Sequence, residues 1–155
     1  MPRARDTDPV IREARLDDVE GVVTLHHLTR ETCMPYLPVL HTVAEGIEYF
    51  TEVVFRECRV LVVEDDGRIV SYCAFREGWL DHLYVSPDAQ RRGLGSTLLK
   101  AATESQDTLS LWVFQKNLGA RHFYERHGFS PIELTDGQTN EEHEPDALYR
   151  WKRST

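Results

Sequence analysis

The first half of the chain arranges apolar and polar residues in patterns that predict a strand, two helices and a hairpin. VIREAR (10–15) has the period of two expected of a half-buried strand, and the apolar residues of 16–32 recur at helical spacing. CMPYLPVLH (33–41) contains two prolines, which remove backbone donors and predict an ordered loop between helices. Helical spacing resumes at 42–55, so a second helix is expected there.

Two local signals in this half indicate where a helix begins and where the chain turns. Thr42 is followed three residues later by Glu45, which is the spacing of a capping box at a helix N-terminus. The β-branched runs RVLVV and RIVSYCAF flank Asp65, Asp66 and Gly67, residue types that favour tight hairpin turns. We therefore expect a helix that begins after Thr42 and an antiparallel hairpin that turns at these three residues.

The second half predicts strands that alternate with helices and ends in two further strands. Gly128 closes the last predicted helix, because glycine favours the left-handed conformation common just past a helix C-terminus. A polar, acidic loop separates the last two strands. The predicted strands are 78–87, 108–114, 129–134 and 147–153, and the predicted helices are 94–105 and 117–128.

Length and composition indicate one folded domain. The chain has 155 residues, of which 41% are hydrophobic and 28% charged, as in a typical globular domain. We expect that domain to span 9–155, after a flexible tail at 1–8. The formal net charge of -8 argues against a nucleic-acid partner, which needs a basic face, and slightly favours a cationic partner. The excess of acidic residues is also explained by a surface that only keeps the protein in solution.

Cysteine usage and apolar segments bear on metal binding and compartment. Cys33, Cys58 and Cys73 are odd in number and lack the short spacing of zinc ligands, so neither a disulfide framework nor a metal site is expected. No apolar stretch of the sequence has the length of a signal peptide or of a membrane span. We therefore expect a cytoplasmic protein without a membrane partner.

A predicted strand, two glycines and a helix start meet in QRRGLG (90–95). Such a turn brings unpaired backbone N–H groups and the positive end of a helix dipole to one point, where they favour an anion. The nucleoside-triphosphate loop does not fit, because it needs a lysine directly after its last glycine. The dinucleotide fingerprint needs a third glycine where Leu98 stands. On the loop alone, a helix entry that merely turns the chain explains the glycines equally well.

Together with a second segment, this loop resembles a known family. LYVSPDAQRRGLGSTLL and, one strand later, NLGARHFYERHGF resemble the two signature segments of the GNAT superfamily of acyl-CoA-dependent N-acetyltransferases. The predicted order of elements agrees with that family along almost the whole chain. The resemblance implies an α/β (α+β) fold with a mixed, mostly antiparallel central sheet of six to seven strands and about four helices. It also implies an enzyme that uses acetyl-CoA as cosubstrate and no metal.

The resemblance further implies where the coenzyme binds. Its pyrophosphate would lie on the amides of 90–96, and its pantetheine arm along the strand ending at Val85, where neighbouring strands splay apart in the family. Asn117 would bond the coenzyme, although a helix N-cap explains this residue equally well. The implied coenzyme-binding residues are Leu83, Tyr84, Val85, Gln90, Arg91, Arg92, Gly93, Leu94, Gly95, Ser96, Asn117, Ala120 and Tyr124.

The implied reaction needs an oxyanion donor, an acid and a base. The main-chain N–H of Leu83 would stabilise the tetrahedral intermediate, and Tyr124 would protonate the departing thiolate. Packing of the tyrosine ring on the sheet is the alternative role. Asp81, His82, Glu77 or an ordered water would deprotonate the amine. Because side chains alternate along a strand, we expect the adjacent Asp81 and His82 to point to opposite faces, so that at most one faces the acceptor.

By analogy with the family, the segments CMPYLPVLHT and TNEEHEPD would flank the amine acceptor. The acceptor-side candidates are the aromatic residues Tyr36, His41 and Tyr49 and the acidic residues Glu141, Glu142, Glu144 and Asp146. These residues would attract a cationic acceptor. Alternatively, the aromatic residues would belong to the core and the acidic residues to a solvated loop.

The expected function is transfer of an acetyl group to a primary amine of a small molecule or peptide, by direct attack in a ternary complex. A non-catalytic acyl-CoA sensor is the alternative. Both a monomer and a homodimer fit the sequence.

Overall fold

The computed structural model describes residues 9–154, and the predicted flexible tail at 1–8 lies outside the described residues. Within that range the strands form one seven-stranded sheet in the order β1-β2-β3-β4-β5-β7-β6. Neighbouring strands are antiparallel except β4 and β5, which are parallel, so the expected mixed, mostly antiparallel sheet is confirmed. The strands are β1 (Val10–Glu13), β2 (Arg59–Asp65), β3 (Arg68–Arg76), β4 (Trp79–Val85), β5 (Thr108–Phe114), β6 (Ser130–Leu134) and β7 (Asp146–Lys152).

Four helical segments flank the sheet in the described part of the chain, as the sequence predicts. The second of them is one continuous helical run in which a π-helical stretch, Phe50–Val54, joins two α-helical parts. Short 3₁₀ turns, Leu16–Asp18 and Pro87–Ala89, precede the first and third segments. The α-helices are α1 (Val19–Cys33), α2 (Val43–Tyr49), α3 (Phe55–Glu57), α4 (Leu94–Thr103) and α5 (Leu118–Arg126).

Both local signals in the first half have the predicted geometry. The Thr42 hydroxyl accepts from the Glu45 N–H at 3.1 Å, and the Glu45 carboxylate accepts from the Thr42 N–H at 2.8 Å, which completes the capping box. Between β2 and β3 the chain turns through Asp66 (φ 55°) and Gly67 (φ 74°), the left-handed pair required by a tight hairpin. The predicted helix start and hairpin are therefore confirmed.

The sheet separates two apolar cores. Val62 and Tyr72 face α1 and α2, whereas their strand neighbours Leu61 and Cys73 face α4 and α5. This division follows from the period of two along each strand. Both faces of the central strands are therefore covered, which explains why β2 and β3 are almost continuously apolar.

Strands β4 and β5 separate along most of their length and leave a gap in the sheet. Within residues 9–154 the two strands pair at one position, Trp79 with Ser110, and then diverge. The parallel pair lies at the start of β4, so the rest of β4 has a free edge on the β5 side. The splay that the family resemblance implied between these strands is present.

A β-bulge interrupts β4 next to this gap. Ala74 pairs with His82 and Phe75 pairs with Leu80, so Asp81 is the extra residue between them. Asp81 and His82 consequently both line a pocket of about 290 Å³ beside α2 and α3. The prediction that these two side chains point to opposite faces is wrong, because the bulge cancels one step of the alternation.

Candidate active site

A cleft of about 870 Å³ lies where β4 and β5 separate. The Ser86 N–H donates to the Val70 carbonyl of β3 at 2.8 Å, so Ser86 presents its backbone to β3. Because successive residues of a strand present their backbone groups to alternate sides, Leu83 and Val85 present theirs to the cleft. The cleft therefore has a wall of backbone donors and acceptors, of which the Val85 carbonyl accepts from the Gln90 side-chain amide at 3.1 Å.

Most of the predicted coenzyme-binding residues surround this cleft. The 90–96 loop forms one end of the cleft and α5 forms one side, and Met34, the C-cap residue of α1, also lines it. The predicted residues that line the cleft are Leu83, Tyr84, Val85, Gln90, Arg91, Gly93, Leu94, Gly95, Ser96, Asn117, Ala120 and Tyr124.

The glycine loop opens directly into α4. Arg91 (φ 69°) and Gly93 (φ 79°) take left-handed conformations, and α4 begins at Leu94 immediately afterwards. A Cβ at Gly93 would meet no atom within 4 Å, so the space above this backbone is open. The first-turn N–H groups of α4 thus face an accessible end of the cleft, where an anion would find both donors and the helix dipole.

Arg92 departs from its predicted role. Its Nη1 donates to the Asp65 Oδ2 at 2.9 Å, and the Asp65 side chain is only 7% exposed. A buried carboxylate is costly without a charged partner, so the hairpin turn holds this arginine away from the cleft. Of the two loop arginines, Arg91 alone lines the cleft formed by the described residues.

The start and middle of α5 supply two further predicted residues. Asn117 accepts from the Ala120 N–H at 3.2 Å through its side chain, which makes it the N-cap of α5. Its Nδ2 also donates to the Met34 sulfur at 3.5 Å, across the cleft. Tyr124 is 8% exposed and lines the cleft, and burial raises its pKa well above the usual value. Its hydroxyl therefore carries a proton at neutral pH.

The three candidate bases have different surroundings. Asp81 accepts from Arg76 at 2.6 Å and 3.1 Å, so its carboxylate is already paired. Glu77 is exposed in the turn between β3 and β4 and lies away from the cleft lining. His82 borders the cleft and also both smaller pockets. Burial lowers the His82 pKa to about 4, an effect that Asp81 partly offsets, so the ring is neutral at pH 7.

A second pocket, of about 620 Å³, lies on the other side of His82 and is called the acceptor pocket below. His41 and Glu141 meet across its rim at 2.7 Å, and Arg30 donates to Glu142 at 2.9 Å. The acidic loop before β7 thus closes onto α1 and the proline-bearing segment, as the family analogy implied. The predicted acceptor-side residues that line this pocket are His41, Tyr49, Glu141 and Glu142.

Two predicted acceptor-side residues lie elsewhere. Lys116 lies 5.3 Å from the centre of the Tyr36 ring and its Nζ lies 3.6 Å from Glu144 Oε2. This lysine draws both side chains toward the start of α5, so neither lines the acceptor pocket. Asp146 accepts hydrogen bonds from Thr135 and from the Asn140 amide, and therefore holds the loop together from within.

Comparison with known proteins agrees with this geometry. A family model described as an acetyltransferase (GNAT) domain matches residues 56–131, from the end of the second helical segment to the beginning of β6. The chain contains a GNAT acetyltransferase domain. The match contains the splayed strands, the glycine loop and all of α5, which are the parts that form the cleft.

Individual relatives of this GNAT chain extend over most of its length. The peptidyl-lysine N-acetyltransferase YiaC of Escherichia coli (strain K12) is 26% identical over 125 residues, which cover 80% of this chain and 85% of YiaC. PaiA N-acetyltransferase from Thermoplasma acidophilum, crystallised with coenzyme A, has a TM-score of 0.75 at 17% identity, covering 95% of this chain and all of that one (100%). YncA from Salmonella typhimurium, solved with its cofactor acetyl-CoA, has a TM-score of 0.73 at 14% identity over 96% of each chain.

Sequence reasoning missed several residues around the acceptor pocket of this GNAT domain. His26, Arg30 and Phe50 line the pocket, and Tyr72 lies beneath His82. His26 and Arg30 are four residues apart in α1, a spacing that places them on one face of the helix and was visible in the sequence. In the sequence, Tyr72 lies within an apolar strand, and no local pattern distinguishes it from an ordinary core tyrosine.

Two further properties concern the described residues as a whole. Among residues 9–154 no group of three or more His, Cys, Asp or Glu side chains is arranged to hold a metal ion. In the same part of the chain, the helices are too short or too polar to cross a membrane. Cys33, Cys58 and Cys73 are free thiols.

Proposed function

We propose that this GNAT domain transfers an acetyl group from acetyl-CoA to a primary amine of a small molecule or peptide. The observation that carries the proposal is the separation of β4 from β5, which leaves the backbone of Leu83 and Val85 unpaired by β5 within residues 9–154. A pantetheine arm is extended and amide-rich, so it is suited to pair with such backbone groups. The folds of PaiA and YncA, solved with coenzyme A and with acetyl-CoA, support this ligand.

The glycine loop fits the phosphates of that ligand. Its pyrophosphate would accept from the N–H groups of 90–96 at the start of α4, where the helix dipole adds to the attraction. Arg91 and Arg126 line the same cleft and carry the matching charge. Gly93 leaves the approach to the backbone open. Arg92 would act only indirectly, by holding the loop against the hairpin through Asp65.

Acetyl transfer proceeds by direct attack in this proposal. The amine nitrogen bonds to the thioester carbon, and the negative charge on the carbonyl oxygen is stabilised by the Leu83 N–H. When the C–S bond breaks, the Tyr124 hydroxyl donates its proton to the departing sulfur. The raised pKa of Tyr124 ensures that this proton is present at neutral pH.

The amine would reach the thioester from the acceptor pocket. Glu31 lies in the pocket lining together with the rings of Tyr49 and Phe50, and Glu141 and Glu142 of the same lining already contact His41 and Arg30. Carboxylates and aromatic faces both attract an ammonium group, so a cationic acceptor fits this lining. YiaC is a peptidyl-lysine N-acetyltransferase, which is consistent with an amine of this kind.

The proposal is tested by measuring thiol release from acetyl-CoA with a panel of primary amines, from diamines and polyamines to lysine peptides. At least one amine should stimulate release, and Tyr124→Phe should lower kcat by about 100-fold while acetyl-CoA still binds. If acetyl-CoA binds and no amine stimulates release, the chain is a non-catalytic acyl-CoA sensor and the enzyme proposal is wrong.

The coenzyme site has a separate test with a matched control. Gly93 (φ 79°) and Gly67 (φ 74°) share a left-handed conformation, and a Cβ at either would meet no atom within 4 Å. Gly93→Val and Gly67→Val therefore impose similar backbone strain, but only the first places a side chain above the loop N–H groups. Calorimetric titration should show weaker acetyl-CoA binding for Gly93→Val alone. Equal affinity in the two folded variants would contradict the pyrophosphate site.

A further inference from the structure

The hydroxyl of Tyr72 lies between two histidine rings. It is 2.9 Å from Nδ1 of His26, on α1, and 3.3 Å from Nδ1 of His82, on β4. Tyr72 is fully buried, at 0% exposure, and Phe50 and Tyr84 pack against the same rings. The three polar groups therefore form a short hydrogen-bonded row that begins beside the acceptor pocket and ends at the base candidate on β4.

The number of protons in this row is limited. Burial and the neighbouring charges lower the pKa of His26 to about 2, and burial lowers that of His82 to about 4, so each ring carries one N–H at neutral pH. Burial raises the pKa of Tyr72 well above its usual value, so its hydroxyl has one proton. That proton can be donated to only one of the two Nδ1 atoms. The other Nδ1 must donate its own N–H to the Tyr72 oxygen.

Two directions satisfy this count, and they differ in the tautomer of both rings. In the direction inferred here, the Tyr72 hydroxyl donates to Nδ1 of His26 across the shorter contact, 2.9 Å, because hydroxyl donors generally make the shorter hydrogen bonds. The Nδ1–H of His82 then donates to the Tyr72 oxygen across the longer contact, 3.3 Å. With its proton on Nδ1, His82 keeps an unprotonated Nε2 on the side of the ring away from Tyr72.

We propose that Tyr72, oriented by His26, is a positioning residue that holds His82 in the Nδ1–H tautomer and leaves its Nε2 lone pair free to accept the proton of the acceptor amine. This inference rests on the proposed acetyltransfer function. In the reaction, one amine proton passes to Nε2 as the new N–C bond forms, and the Nδ1–H of the resulting imidazolium continues to donate to the Tyr72 oxygen. Among the side-chain candidates, Asp81 is paired with Arg76 and Glu77 lies away from the cleft lining, which favours His82 as the base.

Groups from every neighbouring element face the His82 ring. From α1 come His26 and the Arg30 guanidinium, and from β3 comes Tyr72. From the second helical segment come the Phe50 ring and, in the shared small pocket, Tyr49, Glu57 and Cys58. On β4 itself Asp81 raises the affinity of the ring for a proton, whereas Arg30 lowers it. None of these contacts places a donor or acceptor on Nε2 among the hydrogen bonds of residues 9–154, so this nitrogen is available to the amine.

The tautomer is measured directly by ¹⁵N NMR of histidine-labelled protein, without substrate. Wild-type His82 should show a protonated Nδ1 and an unprotonated Nε2, and Tyr72→Phe should shift the ring toward the Nε2–H form. Tyr149→Phe is the matched control, because Tyr149 is also fully buried and hydrogen-bonded but contacts Glu125 and Arg121 instead. An Nε2–H tautomer in the wild type, or an unchanged tautomer in Tyr72→Phe, would overturn the proposal.

His26→Phe provides a second variant should Tyr72→Phe fold poorly. Without its acceptor on α1, the Tyr72 hydroxyl is left to donate to His82 Nδ1, which forces the Nε2–H tautomer. The same NMR spectrum should then show this reversed form. Retention of the Nδ1–H form in this variant would contradict the orienting role of His26.

Kinetics connect the tautomer to catalysis. Tyr72→Phe should lower kcat by about tenfold, the equivalent of one hydrogen bond, with the KM for acetyl-CoA unchanged. His82→Ala should cost more, and adding Tyr72→Phe to it should cost nothing further, because Tyr72 acts through His82. Independent, multiplying losses would refute that coupling. If no amine is acetylated by any variant, the proposed function fails, while the NMR result still decides the tautomer.

Discussion

Gly137 provides a test of how the acidic loop before β7 is held in place. It is buried with φ 82°, and a Cβ built on it would lie 2.6 Å from the Glu144 carbonyl oxygen and 2.7 Å from the Pro145 nitrogen. Both neighbours are backbone atoms of the same loop, so they cannot rotate away as a side chain would. Gly137→Ala therefore adds a steric conflict to the strain of a left-handed residue.

The size of each contribution follows from the geometry. A left-handed non-glycine residue costs about 1 kcal/mol, and inserting a methyl group into filled space costs about 2 kcal/mol more. The sum is about 3 kcal/mol of unfolding free energy for Gly137→Ala. Gly67→Ala is the matched control, because Gly67 has φ 74° and no atom within 4 Å of its Cβ position, so it should lose only about 1 kcal/mol. For a domain of this length these losses correspond to about 9 °C and about 3 °C in Tm.

Chemical and thermal unfolding of the two variants, measured by circular dichroism, give the comparison. The difference between them isolates the contact with the Glu144–Pro145 backbone, because φ is nearly the same at both glycines. Equal losses in the two variants would refute the reasoning, since they would show that the loop moves aside at no cost. Loss of the Glu142 contact with Arg30 should accompany the larger effect.

Two further predictions concern the glycine loop and the buried histidine. Arg92→Ala should lower the free energy of unfolding by about 2 kcal/mol, because it removes the ion pair to buried Asp65, while acetyl-CoA affinity is retained. Arg91→Ala should weaken acetyl-CoA binding and leave stability nearly unchanged. Urea unfolding and calorimetric titration measure the two effects, and a reversed pattern would contradict the assignment. Because the folded-state pKa of His82 is depressed from 6.5 to about 4, the unfolded chain binds more protons as the pH falls, so stability should decline from about pH 6.5 to pH 4. His82→Gln should make that decline shallower in urea titrations without abolishing it, because His26, whose pKa is lowered to about 2, contributes over the same pH range. The exposed His122→Gln should leave the decline unchanged, and equal slopes in the two variants would refute this cause.

Most elements of the fold were predictable from the sequence. The hairpin at residues 65–67, the capping box from Thr42 to Glu45 and the C-terminal glycine of α5 all depend on interactions between residues a few positions apart. The cleft proposed to bind the coenzyme was predictable for a related reason, since the glycine loop and the α5 segment each carry a local pattern. Together, those two patterns indicate the family from the sequence alone.

The acceptor side was less predictable, because its geometry depends on contacts between distant segments. Lys116 draws Tyr36 and Glu144 away from the acceptor pocket, although both lie in the segments expected to line it. The π-helical stretch Phe50–Val54 likewise has no clear signal in the helical spacing. For Tyr36 and Glu144, a partner distant in the sequence decides the outcome.

The sequence by itself therefore determined the order of the elements, the turn and cap residues, and the glycine loop at the start of α4, because backbone propensity and side-chain period act over a few residues. Tertiary structure alone decided the bulge at Asp81, the pairing of Arg92 with Asp65, and the position of Tyr72 between two histidines. The physical reason is register: the way β3, β4 and α1 align decides which side chains meet, and no local pattern encodes that alignment.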